Sequence, residues 1–183
     1  ILLKLDLLPR VSAERQNVLI EELHSVAQHL NNLIDDLFTL SLIESDGSAS
    51  LSTVDFNDVI RQACDDHRAI AQSKDLTLTL DLTEQSMSLY GNKKQLFRLA
   101  ANLVANAIHY TDQGTITVRS SAQDGHTVLE VTDTGIGIPE DQLETVFNRF
   151  FRTEQARSQR RDGTGLGLAI CKAIVEQHDG TIS

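Results

Sequence analysis

"HTVLEVTDTGIGIPE", residues 126–140, changes character twice in a short span. From His126 to Asp133 the apolar and polar residues read as a strand. Two glycines then break the pattern, and Pro139, with Glu140 and Asp141 behind it, marks a helix start. The run "TITVRSS" from Thr115 reads as a second strand, joined to the first across Asp124 and Gly125 as a hairpin. Asp133 therefore ends a strand and faces a loop in which Gly135 and Gly137 permit a sharp turn or the close approach of a ligand. For residues 133–140 alone, a tight strand-to-helix turn that holds nothing is an equal reading.

Outward from this hairpin, strands are expected at Leu51–Val54, from Leu76 through "LTLTLDL", and around Met87–Tyr90. Helices are expected over Phe56–Ser73 and Lys93–His109, as a short piece after Pro139, and after Gly165. Strands and helices do not alternate strictly, so the class is α+β: a two-layer α/β sandwich with helices on one face of a mixed sheet. Ahead of it, "ILLKLDLL" is helical in pattern and stops at Pro9, and Ser12 can cap a second helix. In that helix Leu19, Leu23, Val26, Leu30, Leu33, Leu37 and Leu40 alternate spacings of four and three, a seam of coiled-coil type. A lone hairpin cannot bury both faces, which predicts pairing with a second copy into a four-helix bundle; packing on the downstream domain is the competing explanation. The polar run "ESDGSAS" from Glu44 breaks the heptad, placing a helical hairpin in residues 1–46 and a second domain in 47–183.

Composition narrows the function. With 16 basic and 26 acidic residues in 183, the formal charge is −10, which disfavours nonspecific nucleic-acid binding and direct contact with anionic membranes. No secretory signal or long apolar run is present, and Cys64 and Cys171 stand singly, as buried thiols of a reducing compartment would. The expected location is cytoplasmic, which includes the cytoplasmic part of a membrane-anchored sensor.

Two further stretches bear on chemistry. "GTGLGLAICKAIVEQHDG", from Gly163, places Gly163, Gly165 and Gly167 at every second position before a helix whose free N–H groups could face phosphate. That spacing fits neither G-x-G-x-x-G nor G-x-x-x-x-G-K-[ST]. Just before it, residues 149–161 hold five arginines and one glutamate, a field suited to a polyphosphate, although a solvated loop is the plainer reading. "NLVANAIHYT", residues 102–111, puts Asn102 and Asn106 on one helical face. Asparagine inside a helix is better tolerated with a partner, for which a magnesium ion and a structural hydrogen bond compete.

Taken together and in this order, these blocks resemble the catalytic core of a sensor histidine kinase of two-component signalling, in the gyrase, heat-shock chaperone and mismatch-repair ATPase superfamily. "NLVANAIHYT" looks like its N box, "DTGIGIP" its first glycine box, "VFNRFF" its F box, "GTGLGLAI" its second glycine box, and "HLNNLIDDLFTLSLIES" the second helix of its dimerisation domain. The resemblance implies magnesium and ATP as cofactors. It implies that Asp133 accepts a hydrogen bond from the adenine amino group, with Gly135 and Gly137 letting the loop close over the base. It further implies that Asn106 coordinates magnesium, with Asn102 the asparagine before it, and that Tyr110 packs beside the adenine. Gly163, Gly165 and Gly167 would be lid glycines near the phosphates, Phe147 and Phe150 F-box hydrophobes, and Arg152 directed at the terminal phosphate. His109 occupies a place where lysine is common, and a neutral imidazole gives a phosphate less charge.

The departures matter as much. Hydrolytic relatives place a glutamate where Asn102 stands, and an amide has no carboxylate to take a proton from water. That favours transfer of the γ-phosphate to a protein histidine, then to an aspartate of a response regulator receiver domain, over hydrolysis. The family's acceptor histidine lies on the first bundle helix, of which "ILLKLDLL" looks like only the end, so the acceptor is expected upstream of Ile1 and one more strand after Ser183. His24 and His29 lie on the second helix without the acidic residue that follows an acceptor. The alternative to a kinase is a catalytically idle nucleotide-binding platform.

Overall fold

The computed structural model describes residues 12–45, 51–84, 87–159 and 163–183. The expected helix "ILLKLDLL", most of the linker, and Arg160 and Arg161 lie outside the described residues. In chain order the elements are helix α1 (Ala13–Glu44), strand β1 (Ser52–Asp55), α2 (Phe56–Ser73), β2 (Thr77–Leu82), β3 (Ser88–Gly91) and α3 (Lys93–Tyr110). Then follow β4 (Thr115–Gln123), β5 (His126–Asp133), a 3-10 turn (Glu140–Gln142), α4 (Glu154–Gln159) and α5 (Gly167–Gln177).

Short polar side chains start two of the long helices. Asp55 ends β1 and accepts from the amides of Asn57 and Asp58 at 3.0 and 3.3 Å, and Asn92 accepts from those of Lys94 and Gln95 at 2.9 and 3.2 Å. Each satisfies amides that a helix start leaves open. Ser12 does stand at the N-cap of α1, with extended backbone, but its side chain makes no capping bond.

The strands fall into two ladders, β1 antiparallel to β3, and a mixed sheet in the order β2-β4-β5. β2 runs parallel to β4 in the register Thr77↔Thr115, and β4 antiparallel to β5 with Ile116↔Asp133. The parallel pair needs a long crossover, and β3 with α3 supplies it. Ile116 and Val118 are buried on one face of the sheet with Leu78 and Leu80 packed beside them. The opposite face carries Asp81, Arg119 and Glu130, where Arg119 Nε lies 2.8 Å from Asp81 in an exposed pair. One face dry and one wet gives two layers.

α2, α3 and α5 cover the dry face, with Val59, Ile60, Val104, Ile108, Ile170 and Ile174 in a common core. Inside it Asn57 is satisfied throughout: its amide donates to the Thr83 carbonyl at 2.9 Å and its oxygen accepts from Ser120 at 2.7 Å.

α1 divides its seam. Leu40 and Ile43 are buried in the domain core and Leu33 packs against it, while Leu30 and Leu37 remain 43% and 47% exposed, beside Ile34 and Phe38 at 62% and 64%. A helix 32 residues long therefore offers apolar surface in two directions, one already used by its own chain. Among the described residues no helix is long and apolar enough to cross a membrane.

Candidate functional site

α3 forms one wall of a cavity of about 1380 Å³, and β5 with the loop after it, residues from 143 to 156, residues from 163 to 168 and part of α1 contribute to the others. Among the residues singled out from sequence, Asn102, Asn106, His109, Tyr110, Asp133, Gly137, Phe147, Arg152, Gly163, Gly165 and Gly167 all line it. Gly135 and Phe150 do not line it; Phe150 is 56% exposed, and Phe151 contributes to the wall instead.

At one end the glycine loop is fastened to the end of α3. The Ile136 amide donates to the Tyr110 carbonyl at 3.1 Å, and the Gly135 amide donates to Asp133 Oδ1 at 2.9 Å. A Cβ on residue 135 would stand 2.2 Å from the Tyr110 oxygen, so this position requires glycine for close approach. The Asp133 carboxylate is exposed and held on one side by Gly135, leaving acceptor capacity for a further donor. Behind it, Lys74 donates to the carbonyls of Ile108 and His109 at 2.8 and 3.4 Å, placing a cation at the negative end of α3.

At the other end lies the glycine-rich lid. Asn102 Nδ2 donates to the Gly167 carbonyl at 3.3 Å, fixing α3 against the first turn of α5. Gly165 has φ of +70°, and a Cβ there would lie 2.9–3.0 Å from the backbone of Phe150, whose amide donates to the Gly165 carbonyl at 2.9 Å. The chain at Phe150 and the chain at Gly165 are thus joined as one hydrogen-bonded unit. Phe150 takes φ of +63° to make that contact, a conformation unusual for a bulky residue.

Arg152 faces the cavity, and its Nη1 donates to Gly163 at 3.0 Å and Nη2 to Ala156 at 2.6 Å. In this conformation its fork holds lid backbone, so a phosphate would have to compete with two carbonyls for it. Gln159, at the end of α4, donates to Asp112 just beyond α3 at 2.8 Å. The donor set fits a magnesium ion: Asn106 lines the cavity and carries an amide oxygen, and magnesium takes few protein oxygens, completing its shell with water and phosphate.

Sequence reasoning missed several polar contributors, three of which meet at one place. Arg98, one turn before Asn102, lines the cavity with Asp36 of α1 and Thr164 of the lid. Arg98 could have been found from the fourfold spacing alone, whereas Asp36 reaches the site only through tertiary packing. The thiols of Cys64 and Cys171 do not line the cavity, and burial pushes them up to about 11 and about 12.

Residues 91–183 match the family described as Histidine kinase-, DNA gyrase B-, and HSP90-like ATPase. The chain is 34% identical over 169 residues to the sensor histidine kinase RppB of Synechocystis, covering 91% of this chain and 37% of that relative. It therefore spans less than half the length of such relatives. Among solved structures, the histidine kinase AdeS of Acinetobacter baumannii superposes with a TM-score of 0.69 at 29% identity, over 87% of this chain and 73% of that one. The mycobacterial sensor histidine kinase MprB superposes with a TM-score of 0.61 at 32% identity, over 72% and 82% respectively.

Proposed function

The chain belongs to the histidine kinase-, gyrase- and HSP90-like ATPase family, and we propose on that basis that it is the catalytic core of a sensor histidine kinase. In this reading it binds magnesium and ATP in the α3 cavity and passes the γ-phosphate to a histidine of a dimerisation helix. The phosphoryl group then goes to an aspartate of a response regulator receiver domain. The observation that carries the reading is the single cavity in which Asn102 and Asn106 of α3, Asp133 at the end of β5 and the lid glycines meet.

The steps assign work to named residues. Asp133, oriented by the Gly135 amide, accepts from the adenine amino group and reads the base. Tyr110 packs beside it. Asn106 holds magnesium, which when bound neutralises phosphate charge. The lid amides and Arg152 stabilise the charge that moves between oxygens, since phosphoryl transfer asks chiefly for positioning and electrostatics. Asn102 keeps the site from hydrolysis: its amide is a donor to Gly167 and cannot take a proton from water. α1, with its exposed apolar stripe, pairs with a second copy. The work is done in the cytoplasm.

Transfer is tested with the protein as its gene encodes it, incubated with γ-labelled ATP and magnesium. Phosphate that is acid-labile and alkali-stable, absent from Asn106→Ala and not located on His24 or His29, supports the reading. ATP binding without any labelling would favour an idle nucleotide platform.

A further inference from the structure

Along one face of α3, Arg98, Asn102, Asn106 and Tyr110 recur at every fourth residue, and all four line the cavity. The row has a direction. Its Tyr110 end is fastened to the Asp133 loop through Ile136, and its middle is fastened to the lid through Asn102 and Gly167. Arg98 stands at the far end, roughly 18 Å from Tyr110 along the axis at about 1.5 Å per residue. A ligand whose base lies at Asp133 and whose phosphates pass Asn106 therefore points its last phosphate towards Asn102 and Arg98.

That end already holds an anion, and it comes from the chain itself. One carboxylate oxygen of Asp36 accepts from Arg98 Nη2 at 2.6 Å, and the other accepts from Thr164 Oγ1 at 2.9 Å. The Asp36 and Arg98 side chains are 17% and 31% exposed, so the contact is largely sheltered from solvent. A guanidinium and a hydroxyl converging on one oxyanion form an arrangement that takes phosphate as readily as carboxylate.

We infer that Arg98 and Thr164 form a terminal-phosphate subsite, which Asp36 of α1 occupies in this conformation and which the last phosphate of a nucleoside triphosphate takes in its place. The inference rests on the reading of the cavity as an ATP site. A terminal phosphate carries more charge than a carboxylate and more acceptor oxygens, so it can displace Asp36. A diphosphate ends one group short and leaves the Asp36 contact intact. Triphosphate binding and α1 docking then oppose each other, and by linkage whatever holds α1 down weakens triphosphate affinity by the same factor.

The test is calorimetric titration of the whole chain with ADP and with a non-hydrolysable ATP analogue, both with magnesium. Arg98→Ala should weaken the analogue about tenfold or more, the worth of a charge-assisted hydrogen bond, and leave ADP nearly unchanged. Asp36→Asn, which removes the competing charge, should strengthen the analogue several-fold without moving ADP, and the gain should vanish in the Asp36→Asn/Arg98→Ala double variant. ADP affinity reports whether each variant folds, and Arg98→Gln, closer in length, repeats the measurement. Equal shifts for both nucleotides, or none, in both Arg98 variants would overturn the subsite. Wild-type protein that binds neither nucleotide would instead overturn the ATP reading on which it rests.

Discussion

Asn102 and Gly167, 65 positions apart in sequence, are joined by a hydrogen bond of 3.3 Å in which the asparagine amide is the donor. The bond fastens α3, which carries the row of cavity residues, to the first turn of the helix that follows the lid. Asn102→Asp would turn that donor into an acceptor facing a carbonyl. Urea unfolding should show a loss of about 1–3 kcal/mol, the usual cost of an unmade partly buried bond with a charge added. Unchanged stability would mean that α3 and α5 do not depend on this contact.

Asp133→Asn keeps an acceptor oxygen but loses the charge. If Asp133 reads the adenine, calorimetry should show ATP and ADP weakened alike by about one to two orders of magnitude, from roughly 1.5–3 kcal/mol for a charged hydrogen bond. A GTP control should change little. Equal adenine nucleotide affinities in the two proteins would remove Asp133 from base recognition.

The part of the cavity wall that was legible is written locally. Asn102 and Asn106 share a face by helical spacing, Asp133 ends an alternating strand, and the glycines announce turns. What stayed hidden depends on distant partners. The heptad of α1 identified a helix but not which leucines would face its own domain, so Leu40 on the core and Leu37 in solvent looked alike. Asp36 is one acid among many until folding sets it 2.9 Å from Thr164, 128 residues later. The carbonyl partners of Arg152 and the left-handed turn at Phe150 likewise follow from how the lid folds back, which no periodicity records.

The seam gives a prediction about assembly. Leu30→Glu with Leu37→Glu places charge on the exposed side of α1 and leaves the core-facing Leu33 and Leu40 intact. If that side pairs two copies, burying an unpaired charge costs several kcal/mol, so light scattering should find dimers for the wild type and monomers for the variant. ADP affinity should be retained. The same state for both at high concentration would mean that this stripe does not pair.

Burial raises both thiols, from an ordinary value of 9.0 to about 11 for Cys64 and about 12 for Cys171. Below about pH 9 the folded and unfolded chains both keep these protons, so the contribution to stability is fully present. As pH rises further the unfolded chain releases them first, and stability falls through the folded-state values. The urea midpoint should therefore drop more steeply above pH 9 in wild type than in Cys64→Ala. At neutral pH neither thiol should react with iodoacetamide until the protein is unfolded, and rapid labelling of the native protein would contradict their burial.

The account as a whole turns on whether the α3 cavity takes a nucleotide with its metal. The most direct measurement is titration of a non-hydrolysable ATP analogue into wild type and Asn106→Ala, each with magnesium and with chelator. Binding that magnesium strengthens in the wild type, and that becomes indifferent to magnesium in Asn106→Ala with the fold intact, is the predicted result. No binding by the wild type, or the same magnesium dependence in both proteins, would contradict it.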